Sequence, residues 1–181
     1  EGNKINIIIK EAYPNCPKYI QRRIISMPEY FEETTPVITE DFKLGDAEKD
    51  WIKNADTFFV GSGSEERKLD ASHRGGTPGF VEILDNSTLK IPDYAGNSLF
   101  NTLGNIVQNP NVGLLFIDFQ KRKTLQLSGK ASLLFDQNAD TDLKKTGGTG
   151  RYWLFETSKW IKTENHHKVN WQFLEYSPFN P

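Results

Sequence analysis

Apolar and polar residues alternate in short runs through most of the chain after residue 56. Runs rich in β-branched and aromatic residues, bounded by glycine, proline, asparagine or aspartate, are typical of β-strands. The strands predicted from them cover residues 57–60, 79–84, 88–91, 112–119, 124–135, 152–161 and 169–176. Asp85-Asn86-Ser87 lies between the second and third of these runs and predicts a hairpin.

Two segments have the residue spacing of amphipathic helices. Asp46 is predicted to cap a helix that runs through Ala55, with Trp51 and Ile52 turned inward. Residues 97–108 place apolar side chains on one helical face and predict a second helix. A meander of about six antiparallel strands with flanking helices favours a barrel or closed sandwich, so the predicted fold class is mainly β (α+β).

Residues 1–45 are interpreted as an N-terminal region, or as the tail of a preceding domain, and residues 46–181 as the main folded domain. Within the first region, residues 5–9 are apolar and β-branched, which predicts a buried strand. Residues 16–23 carry Pro17 in a first-turn position and predict a short helix. A polar connector containing prolines is predicted to follow over the surface.

Composition narrows the classes of function. The 181 residues carry a formal net charge of −2, which argues against nucleic acid and anionic membranes as partners. Aromatic residues make up 12% of the chain and favour a core built from a sheet. Apolar runs stay well short of the ~20 residues that cross a bilayer, so a soluble protein is predicted. Cys16 is the only cysteine, which excludes an internal disulfide and predicts a reducing, cytoplasmic location.

Residues suited to binding chemistry are concentrated at 69–76 and 92–101. In the second stretch a strand end is followed by a glycine and by a predicted helix start at Asn97 and Ser98. Free N–H groups at a helix start, with the positive end of the helix dipole behind them, favour a bound anion. Arg74 in the first stretch would add a charged, forked donor of the kind that phosphate prefers.

A simpler interpretation leaves this corner without a ligand, because Asn97 can cap the helix while Arg74 lies in a solvated turn. Spacing alone does not separate the two interpretations. The P-loop motif and the glycine motif of dinucleotide-binding folds are both absent from the sequence. His73 is a candidate hydrogen-bonding or proton-donating group near the same corner, and it equally suits a turn.

Metal binding is not predicted. His166 and His167 are adjacent, so in a strand their side chains would point to opposite faces and would not share one ion. Cys16, which is followed by Pro17, is interpreted as a packed thiol rather than as a nucleophile. No residue is assigned as a catalytic acid, base or nucleophile.

Several stretches of the chain, taken in order, form a series of motifs. They are Asn15-Cys16-Pro17-Lys18-Tyr19-Ile20, Ala55-Asp56-Thr57-Phe58-Phe59-Val60, Asp70-Ala71-Ser72-His73-Arg74-Gly75-Gly76, Pro92-Asp93-Tyr94-Ala95-Gly96-Asn97, Phe100-Asn101-Thr102-Leu103-Gly104-Asn105, Leu125-Gln126-Leu127-Ser128-Gly129-Lys130-Ala131 and Glu175-Tyr176-Ser177-Pro178-Phe179-Asn180-Pro181. Together they resemble the pyridoxamine 5'-phosphate oxidase-like family of FMN-binding split barrels. The resemblance covers most of the chain, and several motifs in a fixed order are more specific than any single motif.

The resemblance implies a split β-barrel with FMN as its cofactor. In the family a hairpin and the following helix start hold the phosphate, which corresponds here to Arg74, Asn97, Ser98 and Asn101. A polar side chain on the strand after the helix reaches the isoalloxazine ring, which corresponds to Gln126. The residues assigned to the cofactor in this way are Ser72, His73, Arg74, Asp93, Tyr94, Asn97, Ser98, Asn101 and Gln126.

The implied function is that of an FMN-dependent oxidoreductase acting with NAD(P)H or another small redox substrate, in a homodimer with FMN at the interface. The alternative is a non-catalytic module that holds a flavin or haem, or a scaffold with an empty site. One departure concerns charge: a basic residue commonly follows the helix-start serine in the authentic oxidases, whereas Leu99 follows Ser98 here. The substrate-phosphate residues of those oxidases are not matched either, which argues against pyridoxine phosphate as the substrate.

Overall fold

A sheet of antiparallel strands forms the centre of the molecule, with short helices around it. The computed structural model describes residues 5–9, 12, 16–27, 34–66, 68–165 and 169–181. The strands are β1 (Arg22–Ser26), β2 (Val37–Asp41), β3 (Thr57–Gly63), β4 (Leu69–Gly75), β5 (Glu82–Ile83), β6 (Thr88–Pro92), β7 (Asn111–Asp118), β8 (Lys123–Leu134), β9 (Tyr152–Glu164) and β10 (Asn170–Glu175). The helices are α1 (Asp46–Asn54), α2 (Asn101–Gln108) and α3 (Asp140–Lys145).

The strands form two sheets. Hydrogen-bonded neighbours in the main sheet follow the order β4-β3-β7-β8-β9-β6-β5, and β2 also pairs with β9. Strands β1 and β10 pair with each other in a separate two-stranded ribbon. This architecture is the mainly β (α+β) split barrel with flanking helices that the sequence predicts. In the part of the chain that the structure describes, no helix is long and apolar enough to cross a bilayer.

Alternating burial along the strands places the core on one face of the main sheet. On β8 the buried Leu125 and Leu127 flank the exposed Gln126, as expected when successive side chains point to opposite faces. The rings of Phe58 and Phe116, both fully buried, stack with centroids 5.0 Å apart. Burial of such apolar surface, at about 25 cal/mol per Å², is the main term that stabilises the barrel.

Most of the strongly patterned elements are confirmed. The strands predicted at 112–119, 124–135 and 152–161 correspond to β7, β8 and β9 within a few residues, and the predicted hairpin is formed by β5 and β6. The first predicted helix is α1, in which Ile52 is fully buried. Its N-cap residue is Gly45 rather than Asp46, which lies in the first turn, where a carboxylate is favoured by the helix dipole.

Two predictions for the N-terminal region are wrong. Residues 5–9 form no strand, and Ile5 and Ile8 are 86% and 85% exposed, because no other described segment pairs with them. Apolar composition favours a strand only where a neighbour satisfies its backbone groups. Residues 16–23 form no helix, since the chain turns and then enters β1 beside β10. The strand predicted at 169–176 is therefore present as β10, but it joins this ribbon and does not close the main sheet.

Three differences concern the elements that border the candidate site. The strand predicted at 57–60 continues through Gly61-Ser62-Gly63 as β3, because β4 pairs along all three residues and β7 pairs with Gly61. The sequence predicts no strand at β4, whose residues are mostly small or polar. Helix α2 begins at Asn101 rather than at Asn97, so the four preceding residues form a loop.

Candidate functional site

A cleft of about 400 Å³ lies between β4, the loop after β6 and the start of α2. Its lining residues come from within residues 16–20, 70–75 and 92–103, together with Phe59 and Phe80. Cofactor sites are typically concave and measure roughly 300–1,000 Å³. The cleft is therefore of a suitable size for a small-molecule site.

Eight of the nine residues that the sequence assigns to the cofactor line this cleft. They are Ser72, His73, Arg74, Asp93, Tyr94, Asn97, Ser98 and Asn101. Gln126 does not line it, because it is exposed on β8, where Leu115 of β7 and Ile161 of β9 are its partners. The fold thus brings three separate stretches of chain to one cleft, and Gln126 is not part of the cleft within one chain.

The start of α2 differs from the predicted one in a way that matters for anion binding. The Oδ1 of Asn97 accepts a hydrogen bond from the N–H of Leu99 at 3.2 Å, so this side chain forms a local turn and does not cap the helix. Phe100 occupies the N-cap position in a left-handed conformation, with φ 53°. No side chain among the described residues caps α2, which leaves the amides of its first turn as potential donors.

Arg74 is held in the cleft by a buried ion pair. Its Nη1 donates to Oδ1 of Asp93 at 3.2 Å, and the two side chains are 21% and 5% exposed. Burial lowers the pKa of Arg74, while the nearby carboxylates of Asp93 and Asp70 act in the opposite direction. The Nε of Arg74 is buried without an acceptor among the described residues. A buried donor without an acceptor lowers the stability of the folded protein unless a ligand or an ordered water accepts its hydrogen bond.

Arg151 joins this corner, although sequence reasoning does not assign it. Its Nε donates to Oδ2 of Asp93 at 2.9 Å, and its guanidinium lies 5.3 Å from the centroid of the Phe100 ring. It follows a glycine-rich loop about sixty residues after Asp93, so spacing gives no sign of the contact. The one sequence feature that could have drawn attention to Arg151 is its position directly after that loop and directly before β9.

His73 is held in a neutral form. Burial, followed by the nearby positive charge of Arg74, lowers the pKa of His73 to about 4. Its imidazole contacts the ring of Phe59 edge-on, with centroids 5.6 Å apart. At neutral pH the imidazole therefore adds no charge to the cleft, and it retains one donor and one acceptor nitrogen.

Stability is expected to depend on pH through His73. The unfolded chain takes up a proton near pH 6.5 and the folded protein only near pH 4, so the folded state loses relative stability as the pH falls through this range. The loss attributable to His73 should be about 2–3 kcal/mol. Urea unfolding of the wild type and of His73→Gln at several pH values between these limits measures it. A stability difference between the two proteins that stays constant with pH would contradict a buried, neutral His73.

Residues 16–20 supply one wall of the cleft. The hydroxyl of Tyr19 donates to the carbonyl of Ala95 at 2.9 Å, and its ring contacts that of Tyr94 at a centroid distance of 4.9 Å. Burial raises the pKa of Tyr94 to about 12, and burial also raises the pKa of Tyr19. Both phenols are therefore protonated at neutral pH and provide aromatic surface with a polar tip.

The buried Gln21 fastens this wall to the rest of the molecule. Its Nε2 donates to the carbonyl oxygens of Asp56 and Gly76 at 3.2 and 3.3 Å. Its Oε1 accepts from the N–H of Ser177 at 2.7 Å. One amide side chain therefore links the segment before β1, the ends of the barrel strands and the C-terminal segment. This link connects the wall formed by residues 16–20 to the C-terminal segment, although the C-terminal segment does not itself line the cleft.

Among the described residues, no set of three or more histidine, cysteine, aspartate or glutamate side chains is placed to hold a metal ion. His166 and His167 lie outside the described residues. Cys16 is a free, partly exposed thiol on the wall of the cleft.

The sequence model of the pyridoxamine 5'-phosphate oxidase family matches residues 44–169. This range runs from just before α1 to beyond the end of β9. It therefore includes the main sheet from β3 to β9 and all eight of the predicted residues that line the cleft. No curated protein matches the chain by sequence.

Solved structures of similar fold include a histidine-to-alanine variant of HupZ of Group A Streptococcus, with a TM-score of 0.54 and 14% identity over 66% of this chain and 98% of that one. A putative pyridoxamine 5'-phosphate oxidase of Lactobacillus delbrueckii gives a TM-score of 0.53 and 16% identity, covering 66% of this chain and 94% of the other. A Clostridium acetobutylicum protein related to general stress protein 26 gives a TM-score of 0.50 and 11% identity, covering 71% of this chain and 92% of the other. At such identities these likenesses establish the fold alone. Because the family match spans well over half of the sequence, this chain belongs to the pyridoxamine 5'-phosphate oxidase family.

Proposed function

We propose that this protein binds FMN in the cleft and acts as an FMN-dependent oxidoreductase on a small-molecule substrate. Membership of the family supports a flavin cofactor in this fold. The observation that carries the proposal is the donor set on one side of the cleft. There the incompletely satisfied guanidinium of Arg74 and the uncapped start of α2 line the same space.

A phosphate monoester fits these donors. The Nε of Arg74 has no acceptor among the described residues, and its pairing with Asp93 fixes the orientation of the guanidinium. Asn101, Thr102 and Leu103 open α2 and line the cleft, and N–H groups in a first helical turn have no acceptor within the helix. Guanidinium groups and helix N-termini are both favourable donors for phosphate.

The protein would contribute binding, orientation and shielding from water. A bound flavin supplies the hydride or electron transfer itself. Tyr19 and Tyr94 present protonated phenols and cover one side of the cleft with aromatic surface. The neutral imidazole of His73 can donate or accept a hydrogen bond without adding charge. No side chain in the cleft is assigned as an acid or base.

We also expect a homodimer in which a second copy completes the cofactor site. Gln126, which is predicted from the family resemblance to contact the flavin ring, is exposed and lies outside the cleft of its own chain. Gly61 and Gly113 pair side by side on neighbouring strands, and glycine inside a strand often marks the close approach of another surface. Light scattering after size-exclusion chromatography tests this expectation. A mass equal to that of one 20.7 kDa chain would contradict it.

FMN binding is the direct test of the proposal. Wild-type protein should quench the fluorescence of added FMN, or should carry FMN already when purified. The Arg74→Ala variant should bind it about 1.5–3 kcal/mol more weakly, the worth of a charge-assisted hydrogen bond. Arg22→Ala is the matched control, because this exposed arginine pairs with Glu175 and does not line the cleft. Unchanged affinity in Arg74→Ala would refute its role in binding.

Reduction of the bound flavin separates an enzyme from a binding module. A yellow protein that is bleached by NADH or NADPH and recoloured by air supports the oxidoreductase. A yellow protein inert to these and other reductants supports a non-catalytic flavin carrier. A red preparation with a haem spectrum would instead show that the cleft holds haem, and the FMN proposal would then fail.

A further inference from the structure

We infer that Arg151 is a second anion-binding residue of the cleft, held in place by Asp93, and that it makes the site selective for flavins that carry a phosphate. This role rests on the proposed function, because it concerns the phosphate of the same cofactor. Three features of the structure support it: the charge of the cleft, the ion pairs of Asp93 and the loop that precedes Arg151.

The charged side chains that line the cleft cancel one another. They are the cations Lys18 and Arg74 and the carboxylates Asp70 and Asp93. His73 adds nothing at neutral pH, since burial lowers its pKa to about 4. A phosphate monoester carries about −1.5 to −2 charges near pH 7, so the donors of a cleft without net charge leave most of this negative charge unbalanced. A further cation beside the cleft would supply the missing positive charge.

Arg151 is that cation: it is not itself among the lining residues, but it is bound to the lining residue Asp93. The carboxylate of Asp93 is divided between two guanidinium groups, with Oδ1 bound to Arg74 at 3.2 Å and Oδ2 bound to Arg151 at 2.9 Å. The negative charge of Asp93 therefore neutralises one of the two arginines, and the group of three residues keeps a net charge of one positive unit. The Asp93 side chain is 5% exposed and that of Arg151 is 28% exposed, so the surplus charge is open to a solute.

Arg151 lies near the residue that precedes α2. Its guanidinium carbon lies 5.3 Å from the centroid of the Phe100 ring, and Phe100 is the residue directly before the helix. A cation near a helix start adds to the positive potential of the helix dipole at that end. Arg74 and Arg151 are thus linked through Asp93 on the side of the cleft where the helix begins.

The glycine-rich loop holds Arg151 against Asp93. The hydroxyl of Thr149 donates to the carbonyl of Asp93 at 2.7 Å and accepts from the N–H of Arg151 at 3.2 Å. The N–H of Asp93 donates to the carbonyl of Arg151 at 2.9 Å. Gly150, with φ +60°, supplies a backbone conformation that other residues rarely adopt. The loop therefore holds Arg151 in position against Asp93.

Paired titrations with FMN and riboflavin test this role, because the two flavins differ only in the phosphate. Arg151→Met keeps most of the apolar stem and removes the charge. We expect its affinity for FMN to fall about ten- to a hundredfold and its affinity for riboflavin to change less than about twofold. Arg151→Lys should fall between the wild type and Arg151→Met, because it keeps the charge and loses the planar fork.

The matched control is Arg122→Met, since Arg122 lies in the turn before β8 and donates to Asn170, which is not a lining residue, whereas Arg151 donates to the lining residue Asp93. It should bind both flavins as the wild type does. Unchanged FMN affinity in Arg151→Met would overturn the role of Arg151 and leave the proposed function intact. An equal loss for FMN and riboflavin would overturn it as well, because the phosphate would not be the group recognised. Wild-type protein that binds neither flavin would instead defeat the proposed function.

Discussion

The Gly129→Ala variant should lose about 3 kcal/mol of unfolding free energy, the upper part of the usual range for overpacked cores. Gly129 lies where the register between β8 and β9 shifts. A methyl group there would overlap the backbone carbonyl of Glu156 and would lie 2.9 Å from Cζ of Phe155. The overlap can be removed only if the two longest strands of the main sheet separate locally, because a backbone group cannot rotate away as the end of a side chain can. Urea unfolding followed by circular dichroism measures the loss.

Gly104→Ala is the matched control for this variant. Gly104 lies in α2, and a methyl group at this position would meet nothing within 4 Å. Since alanine favours a helix over glycine by up to ~1 kcal/mol, the variant should be as stable as the wild type or slightly more so. Equal stability of Gly129→Ala and the wild type would show that β8 and β9 are not packed as closely as described.

Asp93→Asn should lower the free energy of unfolding by about 3 kcal/mol, because it leaves two partly buried guanidinium groups without their counter-charge. The Asp93 side chain is 5% exposed and accepts from both Arg74 and Arg151. An amide of the same shape keeps a single acceptor oxygen and carries no charge, so one of the two contacts must be lost. Chemical unfolding at neutral pH, without added flavin, measures the effect.

Glu175→Gln provides the comparison for Asp93→Asn. Its ion pair with Arg22 has both side chains more than 60% exposed, at 61% and 69%, so the same change from acid to amide should cost less than about 1 kcal/mol. Equal effects of the two substitutions would mean that the carboxylate of Asp93 does not neutralise the partly buried guanidinium groups beside it. The positions inferred for Arg74 and Arg151 would then lose their common support.

Strongly patterned parts of the fold are predictable from sequence. β7 and β8 combine long alternating runs with a charged turn between them, so local pattern and tertiary pairing agree. β4 lacks that pattern, because its Asp70, Ser72 and Arg74 serve the cleft and not the core. Residues 5–9 show the opposite case, in which an apolar, β-branched run finds no pairing partner among the described strands.

For the site, residue type alone allows an anion near Arg74 and the helix that follows β6, and the family resemblance favours that interpretation over a ligand-free cap and turn. Those groups lie on two neighbouring stretches of the chain, and their chemistry can be inferred without coordinates. The point at which α2 begins depends on the loop conformation, in which Ser98 and Phe100 adopt positive φ values of 61° and 53°. No local propensity favours such values in these residues, so the shift of the helix start from Asn97 to Asn101 is not visible in the pattern.

Local sequence thus specifies the type of fold, the core strands and the chemical character of the cleft, because hydrophobic period and residue chemistry act over short distances. The tertiary structure decides which groups that are distant in the chain form ion pairs. Asp93 meets Arg151 across 58 positions in the chain, and Gln126 lies away from the cleft because it occupies the outer face of β8. Contacts of this kind follow from strand register and loop closure, which no single stretch of sequence encodes.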